Sequence, residues 1–369
     1  MQPQAGEARV AIAHEWLVRY AGSERVVEQL LAAFPGSPLL TTLLRPDAVP
    51  PALAAAEPSL LQRLPGATRH HEWLLPLMPL AWRRRAPLDG IDAVISSSHA
   101  CAKAVRIAPG VAHVCYCHTP MRYAWDFAAE AGRFPALLRP VAAAGMTWFR
   151  RWDRATAASV TRFVANSTAV AGRIRRSYGR DAEVVFPPVR TDFFTPDGAA
   201  GGGDFLYVGR LVAYKRADLV VEAFAGLPER LLVVGDGPMR ASLEERATGN
   251  VAFLREVDDV ELRRLYRTSR ALVYPAEEDF GIVMAEAQAC GLPVIGAARG
   301  GAVDVVEHER SGWLLQRQDV AELRRAIRRA AAEDLDRAAI AADAQRFAAD
   351  RFRRELRRIV REVVESVAA

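Results

Sequence analysis

The sequence predicts an α/β fold with two doubly wound domains, each a parallel sheet with helices on both faces. Three observations lead to this prediction. Short apolar runs of strand length alternate with amphipathic helical segments along both halves of the chain. These runs are apolar on both faces, as strands of a buried parallel sheet are. A stretch rich in Gly, Pro and Ala at residues 191–204 separates the halves and suits a linker.

Each half contains strand-like runs in the order that this fold requires. The first half has RVAIAHEW, PLLTTLL, DAVISSS, AHVCYCHT, RFVANST and EVVFPPV. The second half has FLYVGR, LLVVGDG, VAFLREV, ALVYPA and PVIGAA, with helices expected near residues 216–226, 239–247, 258–269 and 281–290. We expect one domain over residues 1–195 and another over 196–369 that includes a helical tail. The carboxyl ends of the two sheets should face each other across a cleft.

Composition excludes several classes of protein. Of the 369 residues, 51% are hydrophobic and 25% are charged, which is typical of a globular chain. No run approaches the roughly 20 apolar residues that span a bilayer. The first residues do not combine a basic segment with an apolar one, so we expect no secretory signal and a cytoplasmic protein. The four cysteines lie in apolar runs and should be buried free thiols.

Positive charge is concentrated in the first half of the chain. Residues 1–195 contain 23 Lys and Arg against 15 Asp and Glu. The arginines are scattered among acids and do not form one stripe, so we expect no nucleic-acid partner. An anionic membrane surface or a phosphorylated acceptor remains compatible with this charge. Only two lysines occur, Lys103 and Lys215, which makes each more informative.

The segment 271–301 contains the most informative pattern. A strand ends at Pro275, acids follow at residues 277–279, and a helix begins at Gly281. The free amides of that helix start form an anion site, and Gly281 allows a ligand to approach the backbone. Glu286, eight residues after Glu278, is placed to accept hydrogen bonds from ligand hydroxyls. The alternative is that the acids only cap the helix.

A second pattern lies in FLYVGRLVAYKRADLVVEAF, residues 205–224. Arg210 ends a strand and Lys215 precedes a helix, so both cations are placed to bind a diphosphate. The alternative is a pair of solvated charges, but the rarity of lysine favours a function for Lys215. The nearby VGDGPMR lacks the third glycine of a dinucleotide fingerprint and predicts only a turn. Gly300-Gly301 lies either beside a nucleotide or in a packing contact.

The first half offers its own candidate residues at strand ends. Gly22 and Ser23 begin a helix after the first strand and form either an anion site or, through Ser23, a plain N-cap. His14 ends the first strand, and His118 ends the strand AHVCYC. His118 is followed by three residues that suit a sugar-binding face, namely Arg122, Tyr123 and Trp125. A lone histidine is more often structural, and this alternative stays open for both histidines.

These motifs together resemble glycosyltransferase family four, which has the GT-B fold of two Rossmann-like domains. The resemblance covers nearly the whole chain. It depends on GRLVAYKRADLVVEAF, VVGDGP, VAFLREVDDVELRRLY, EEDFGIVMAEAQACGLPVIGAARGG and CHTPMRYAWDF. The combination of Arg210, Lys215, Glu278 and Glu286 is specific as a set, whereas each residue alone is weak.

The resemblance implies a role for each candidate. Arg210 and Lys215 neutralise the donor diphosphate, which is the leaving group. Glu286 binds the ribose hydroxyls, and His118 contacts the donor sugar near the reacting centre. The donor sugar and phosphates are also held by Glu278, the amides of Asp279, Phe280, Gly281 and Ile282, and the turn at Gly22 and Ser23. Candidates on the acceptor side are His14, Arg122, Tyr123 and Trp125.

The same resemblance implies the reaction. A hexose is transferred with retention of anomeric configuration, since the leaving diphosphate accepts the acceptor proton on the same face of the sugar. The two cations replace a metal, so no metal or other cofactor is expected. The narrower resemblance is to bacterial mannosyl- and rhamnosyltransferases of O-antigen or exopolysaccharide assembly. It implies a donor linked to GDP and a polysaccharide or lipid-linked glycan acceptor.

Two other functions remain open at this point. A sugar-nucleotide epimerase with the GT-B fold would use the same donor features without an acceptor. A non-catalytic protein that binds nucleotide sugars would also keep the fold. An assay of sugar transfer against epimerisation separates the first alternative from the transferase.

Two segments of the first half suggest a membrane contact. Residues 70–88 place Trp and Leu before three arginines, and residues 146–154 again mix Trp with Arg. Such sequences suit shallow insertion at an anionic interface, here the cytoplasmic face of the inner membrane. The alternative is ordinary core packing, which Pro76 and Pro79 favour because they break a long amphipathic helix.

Overall fold

The computed structural model describes residues 8–125, 139–198 and 201–369, without the side chains of Tyr123 and residues 139–144. The chain forms two compact units. The N-terminal unit contains Met1–Pro188 and Asp350–Ala369, and the C-terminal unit contains Val189–Ala349. The division after Pro188 falls slightly before the predicted boundary at residue 195.

The N-terminal unit is built on a parallel sheet with strand order β2-β1-β3-β4-β5-β6. The six predicted strands are confirmed, and every residue of β1, β3 and β4 is buried because helices cover both faces. The strands are β1 Val10–His14, β2 Leu39–Thr41, β3 Ala93–Ser98, β4 Ala112–Cys117, β5 Arg162–Ala165 and β6 Ala182–Val184. The α-helices are α1 Gly22–Ala33, α2 Pro51–Ala54, α3 Met78–Arg84, α4 Arg122–Trp125, α5 Arg139–Thr156 and α6 Thr168–Tyr178.

The C-terminal unit has a second parallel sheet, with strand order β12-β11-β10-β7-β8-β9. Its strands are β7 Phe205–Val208, β8 Leu231–Val234, β9 Val251–Leu254, β10 Leu272–Tyr274, β11 Val294–Ala297 and β12 Gly312–Leu315. Its helices are α7 Ala217–Phe224, α8 Arg240–Arg246, α9 Asp259–Thr268, α10 Ile282–Ala289, α11 Ala302–Val305, α12 Val320–Ala332 and α13 Arg337–Asp343. Five strands are as predicted. The sixth strand, β12, was not predicted; its four residues follow a charged turn.

Each sheet has one place where the strand order reverses direction. In the N-terminal sheet this switch point lies between β1 and β3, and in the C-terminal sheet it lies between β7 and β10. Loops that leave the carboxyl ends of two such strands run in opposite directions and leave a crevice for a ligand. His14 ends β1, Arg210 follows β7, and Glu278 follows β10. The predicted site residues therefore lie where each sheet can bind a ligand.

The C-terminal tail corrects the predicted domain assignment. Its last helix, α14 Ala349–Ala368, packs in the core of the N-terminal unit, and the prediction that residues 196–369 form one domain is wrong there. The reason is an apolar stripe at helical spacing, which is buried with β1, β3 and β4: Phe352, Leu356, Ile359, Val360 and Val363. The Phe352 ring meets the Tyr116 ring edge-on at 5.4 Å.

Two further predictions from composition can be compared with the structure. All four cysteines are buried free thiols, as predicted. Within the described ranges, no helix combines the length and the apolar character that crossing a bilayer requires.

We predict that Leu356→Ala lowers the free energy of unfolding of the N-terminal unit by about 2–5 kcal/mol, because it removes a fully buried side chain. Six of the seven tryptophans belong to this unit, so tryptophan fluorescence during urea unfolding reports on it. The control is Arg354→Ala, an exposed position on the same helix, which should change the value by less than about 0.5 kcal/mol. Equal stabilities for the two variants would mean that α14 does not belong to this core.

Candidate active site

The loop that contains Arg210 is fixed by the neighbouring strand end. The amide of Gly209 donates to the Val234 carbonyl (3.0 Å), and the amide of Leu211 donates to the Asp236 carbonyl (2.9 Å). Gly235 has a φ of 142°, and a Cβ there would collide with the Gly209 carbonyl oxygen. The glycines of VGDGPMR therefore pack one loop against another, in agreement with the prediction of a turn.

Lys215 forms the centre of a compact polar group. Its ammonium lies 3.0 Å from Glu278 Oε1 and donates to the Tyr274 hydroxyl oxygen at 2.8 Å. The Tyr274 hydroxyl in turn donates to Glu278 Oε1 at 2.8 Å. Burial, together with the Glu278 carboxylate, raises the pKa of Tyr274 well above its usual value, so the hydroxyl stays protonated. The side chains of Lys215 and Glu278 are 18% and 20% exposed, so a ligand can reach both.

The Glu278 loop is held by the glycine pair at residues 300–301. The Gly301 amide donates to the Glu278 carbonyl at 2.8 Å. A Cβ on Gly300 or Gly301 would collide with the backbone of residues 278–280. The structure shows the glycine pair in a packing contact, one of its two interpretations. This contact positions Glu278.

The helix start after Glu278 is open to a ligand. Helix α10 has Gly281 as its N-cap, with a φ of 91° and no side chain that caps it. The alternative that the acids at residues 277–279 cap this helix stays open. The Met284 amide donates to the Gly281 carbonyl at 2.9 Å, whereas the amide of Ile282, the first helical residue, precedes every acceptor of the helix. The Phe280 side chain is buried edge-on against Phe347, so the predicted contact of Phe280 with the donor can involve only its backbone.

Two other residues that are predicted to bind the sugar donor, Arg210 and Glu286, differ in their exposure to solvent. Arg210 is exposed and forms no ion pair with any residue that the structure describes. Glu286 is only 4% exposed, on the buried side of α10. The structure thus brings Lys215 and Glu278 into contact. The roles of Arg210 with the diphosphate and of Glu286 with ribose stay predictions.

In the N-terminal unit, His14 and His118 meet through one serine. His14 Nδ1 lies 3.1 Å from Ser97 Oγ, and the same oxygen lies 2.8 Å from His118 Nε2. Glu24 Oε1 lies 3.7 Å from His14 Nε2. Burial, with the nearby His99 and His14 rings, lowers the pKa of His118 well below its usual value. The two predicted histidines therefore belong to one polar cluster at the switch point of this sheet.

The turn before α1 differs in detail from the prediction. Helix α1 begins at Gly22 with Ala21 as its N-cap, so the alternative that Ser23 is the N-cap is wrong. The Ala21 amide donates to Glu24 Oε2 at 3.0 Å. Gly22 and Ser23 are both half-exposed at the helix start. Their contact with a donor phosphate stays a prediction.

Sequence reasoning missed four polar residues of this cluster: Glu15, Glu24, Ser97 and His99. Glu15 is fully buried and accepts hydrogen bonds from the Ser98 hydroxyl and from the amides of residues 99–102. Burial opposes ionisation of Glu15, but His99 and these amides outweigh it and lower its pKa. The sequence contained a signal for two of these residues: Glu15 directly follows a predicted strand, and Glu24 lies in the first turn of a predicted helix.

Three of the four acceptor-side candidates, Arg122, Tyr123 and Trp125, lie on α4, and one of them has a structural contact. The Trp125 indole donates to Asp153 Oδ2 at 2.7 Å, and the Tyr178 hydroxyl donates to the same oxygen at 2.8 Å. Asp153 also forms a buried ion pair with Lys103. The indole N–H of Trp125 is therefore already paired within the N-terminal unit, and the role of Trp125 on the acceptor side stays a prediction. Arg122 is half-exposed on the same helix, and the Tyr123 side chain lies outside the described residues.

No metal centre is visible in the part of the chain that the structure describes, which contains no group of three or more His, Cys, Asp or Glu side chains able to hold a cation. One Asp-x-Asp triplet occurs, at residues 334–336. Asp336 accepts the Ala339 amide and caps α13, and Asp334 pairs with Arg270 at 2.5 Å. Both acids therefore have structural contacts.

Comparison with known proteins identifies the class. The family described as Glycosyltransferase Family 4 matches residues 20–193, and Glycosyl transferases group 1 matches residues 192–347. The fold resembles HepE from Anabaena in complex with UDP and glucose (TM-score 0.68, 18% identity, 96% and 99% of the two chains). It also resembles the lipopolysaccharide outer core galactosyltransferase WaaB (TM-score 0.66, 15% identity, 94% and 98%). Two six-stranded parallel units of this kind are those of a GT-B glycosyltransferase, as predicted.

The two matches adjoin and together extend over residues 20–347, so nearly the whole chain is similar to glycosyltransferases. A curated relative is the D-inositol 3-phosphate glycosyltransferase of Salinispora arenicola, 32% identical over 232 residues. That match covers 52% of this chain and 51% of the relative, so the chain spans about half the length of the curated relatives it matches. These relatives are not the mannosyl- and rhamnosyltransferases that the narrower resemblance implied. That assignment stays a prediction.

We predict that wild type loses stability relative to Glu24→Gln as the pH falls from about 4.5 to about 2. Burial alone would raise the pKa of Glu24, but His14 outweighs it and lowers the pKa to about 2. The ionised carboxylate therefore stabilises the fold above the unfolded pKa, and this contribution disappears as the pH falls through the folded pKa. It amounts to at most about 3 kcal/mol.

Urea unfolding of both proteins over a pH series from neutral to strongly acidic provides the measurement. Glu28→Gln, which changes a partly exposed acid on the same helix, should follow wild type throughout. Parallel curves for wild type and Glu24→Gln would refute the coupling of Glu24 with His14.

Proposed function

We propose that this protein is a retaining glycosyltransferase that moves a hexose from a nucleoside-diphosphate sugar to a glycan or lipid-linked acceptor. One observation carries the proposal. The only lysine of the C-terminal unit contacts Glu278 at the carboxyl ends of β7 and β10, where a doubly wound sheet binds nucleotides. The match of this unit to the glycosyltransferase group supports the same conclusion.

In this proposal the ion pair between Lys215 and Glu278 separates when the donor binds, and each side chain then contacts the donor. Without a donor, the Glu278 carboxylate neutralises the ammonium at 3.0 Å. A diphosphate brings more negative charge, so Lys215 turns to the phosphates and Glu278 accepts hydrogen bonds from sugar hydroxyls. Arg210 and the free amides at the start of α10 add positive potential.

Catalysis then depends on stabilising the leaving group. As the bond between the anomeric carbon and the diphosphate oxygen breaks, negative charge develops on that oxygen. Lys215 and Arg210 stabilise the charge, and the same oxygen takes the proton of the attacking hydroxyl. Attack from the face that the diphosphate leaves retains the anomeric configuration. No metal is needed, because fixed cations supply the positive charge.

Two nucleotides compete as the donor base. The sequence motifs favour GDP, with mannose or a deoxy-mannose as the sugar. The likeness to HepE, which was solved with UDP and glucose, favours UDP. The acceptor also has two candidates. A polysaccharide or lipid-linked glycan follows from the motifs, whereas an inositol phosphate follows from the curated relatives and suits the positive charge of residues 1–195.

We predict that Lys215→Ala and Arg210→Ala each lower turnover by about two orders of magnitude, because each removes a cation from the leaving group. The matched control is Arg230→Ala, an exposed cation of the same unit that pairs with Asp204, and its turnover should stay near wild type. Sugar transfer is followed by mass spectrometry of the acceptor, with epimerised donor measured in the same reaction. Near-normal turnover of the Lys215 and Arg210 variants would exclude the two cations from the mechanism.

We predict that a nucleoside diphosphate raises the melting temperature equally with and without excess chelator, because Lys215 and Arg210 bind the phosphates without a metal. GDP, UDP, ADP and dTDP are compared. The correct base at a hundred times its Kd stabilises the protein by about 2.7 kcal/mol. Loss of the shift in chelator, with recovery in magnesium or manganese, would contradict metal independence. The ranking of the four nucleotides decides between GDP and UDP.

The structure gives partial support to membrane attachment through the N-terminal unit. Met78 and Trp82 of the first segment and Phe149 of the second are buried in one core cluster, so both segments cover the same face of the sheet. To that extent the core-packing alternative is correct. Other apolar side chains of these segments remain exposed: Trp73 (83%), Leu77 (44%), Leu80 (46%) and Trp148 (57%).

Basic side chains accompany this exposed apolar surface. Arg83, Arg84 and Arg151 are exposed, whereas Arg85 donates to the Glu57 carbonyl and has a structural contact. Each arginine near an anionic bilayer adds about 1 kcal/mol, which salt screens. We propose peripheral attachment to the cytoplasmic face of the inner membrane, where a lipid-linked acceptor would lie.

We predict that the protein floats with phosphatidylglycerol-containing vesicles at low salt and not with pure phosphatidylcholine vesicles. A Trp73→Ala, Trp148→Ala double variant should stay in the soluble fraction, because it removes the two most exposed tryptophans. The control is Val260→Ala, which changes an exposed apolar residue of the C-terminal unit and should float like wild type. If wild type fails to float under every condition, peripheral attachment is excluded.

A further inference from the structure

A line of polar side chains extends from helix α1 to His118 across strands β1, β3 and β4 of the N-terminal sheet. Its members are Glu24 on α1, His14 on β1, Ser97 on β3 and His118 after β4. Glu24, His14 and Ser97 are at most 2% exposed, whereas His118 is half-buried. A buried chain of this kind has few ways to distribute its hydrogens.

The backbone carbonyl of Ser97 fixes the first hydrogen. It lies 3.2 Å from His14 Nδ1, and a carbonyl oxygen can only accept a hydrogen bond. His14 Nδ1 therefore carries a hydrogen, which it shares between this carbonyl and Ser97 Oγ at 3.1 Å. Because Ser97 Oγ accepts from His14, its own hydrogen is free to turn towards His118.

We propose that Ser97 is a positioning residue that holds His118 in the tautomer with hydrogen on Nδ1. The Ser97 hydroxyl donates to His118 Nε2 at 2.8 Å, so Nε2 is the acceptor and Nδ1 carries the hydrogen. His118 Nδ1 makes no hydrogen bond with any residue of the described ranges. It is thus a neutral N–H donor, ready for an oxygen of a ligand.

This inference rests on the proposed function for its consequence. If His118 contacts the donor sugar, an Nδ1–H donates to a sugar hydroxyl oxygen in a fixed direction. The opposite tautomer would present a lone pair there and lose that hydrogen bond. Burial keeps the ring neutral, so His118 presents a hydrogen-bond donor without a positive charge.

The same strand provides a matched control. Ser96, the neighbour of Ser97 on β3, lies 2.9 Å from His113 Nε2, and His113 Nδ1 lies 3.2 Å from the Ser159 carbonyl. Ser96 and His113 are fully buried like Ser97 and His14. Successive residues of a strand point to opposite faces, so this pair lies on the other side of the sheet and has no part in the proposed site.

The tautomers can be read directly by long-range ¹H–¹⁵N correlation spectra of protein labelled at histidine. His118→Gln and His113→Gln assign the two rings. Wild type should show hydrogen on Nδ1 of His118, and Ser97→Ala should convert this signal to a mixture of tautomers. Ser96→Ala should change the signal of His113 and leave that of His118 unaltered. Hydrogen on Nε2 of His118 in wild type, or an unaltered His118 in Ser97→Ala, would overturn the proposal.

Turnover of the same variants tests the positioning role separately. Ser97→Ala should lower kcat/KM about tenfold, the effect of one hydrogen bond. Ser96→Ala should lower the melting temperature as much as Ser97→Ala does, but its kcat/KM should equal that of wild type. An altered tautomer with unaltered turnover would overturn the role of His118 in the reaction. If the transferase assignment itself fails, no turnover is found in wild type, yet the spectra still decide the tautomer.

Discussion

The ion pair between Lys215 and Glu278 is the interaction on which the account of the C-terminal unit depends. It joins the loops that leave β7 and β10, at 3.0 Å, and Tyr274 bridges the two groups. Two glycine contacts maintain this geometry. Gly235 allows the β8 loop to support the Arg210 loop, and Gly301 allows the β11 loop to support Glu278. The sheet thus presents a cation and a carboxylate side by side.

The polar residues at the switch point of the N-terminal unit are arranged differently. Its switch point holds a buried polar cluster instead of an accessible ion pair, and carboxylates support its histidines from behind. Glu24 faces His14, and Glu15 is fixed by the amides of the following turn. A polar group buried without partners is costly, so the extensive pairing of these residues is what permits them at the centre of the sheet. The side chains of this cluster are therefore ordered when the protein folds, and ligand binding does not have to order them.

Much of this could be predicted from sequence, because apolar runs and glycines report directly on strands and turns. Eleven strands and the location of Lys215 and Glu278 at strand ends followed from such patterns. What could not be predicted depends on tertiary contacts. The tail belongs to the N-terminal unit because Leu356 packs in the core of that unit. The Trp125 indole donates to Asp153 on another helix. Ser97 contacts His118 only because β1, β3 and β4 lie side by side in the sheet. None of these partners is near in sequence.

The central claim is that Lys215 binds the donor through its second phosphate. Isothermal titration of wild type and Lys215→Ala with a nucleoside diphosphate and with the matching monophosphate tests it directly, for the base that binds best. The account predicts that Lys215→Ala weakens binding of the diphosphate by about tenfold or more, as losing a charged hydrogen bond does, and leaves the monophosphate unaffected. Equal weakening of both nucleotides, or of neither, would contradict it.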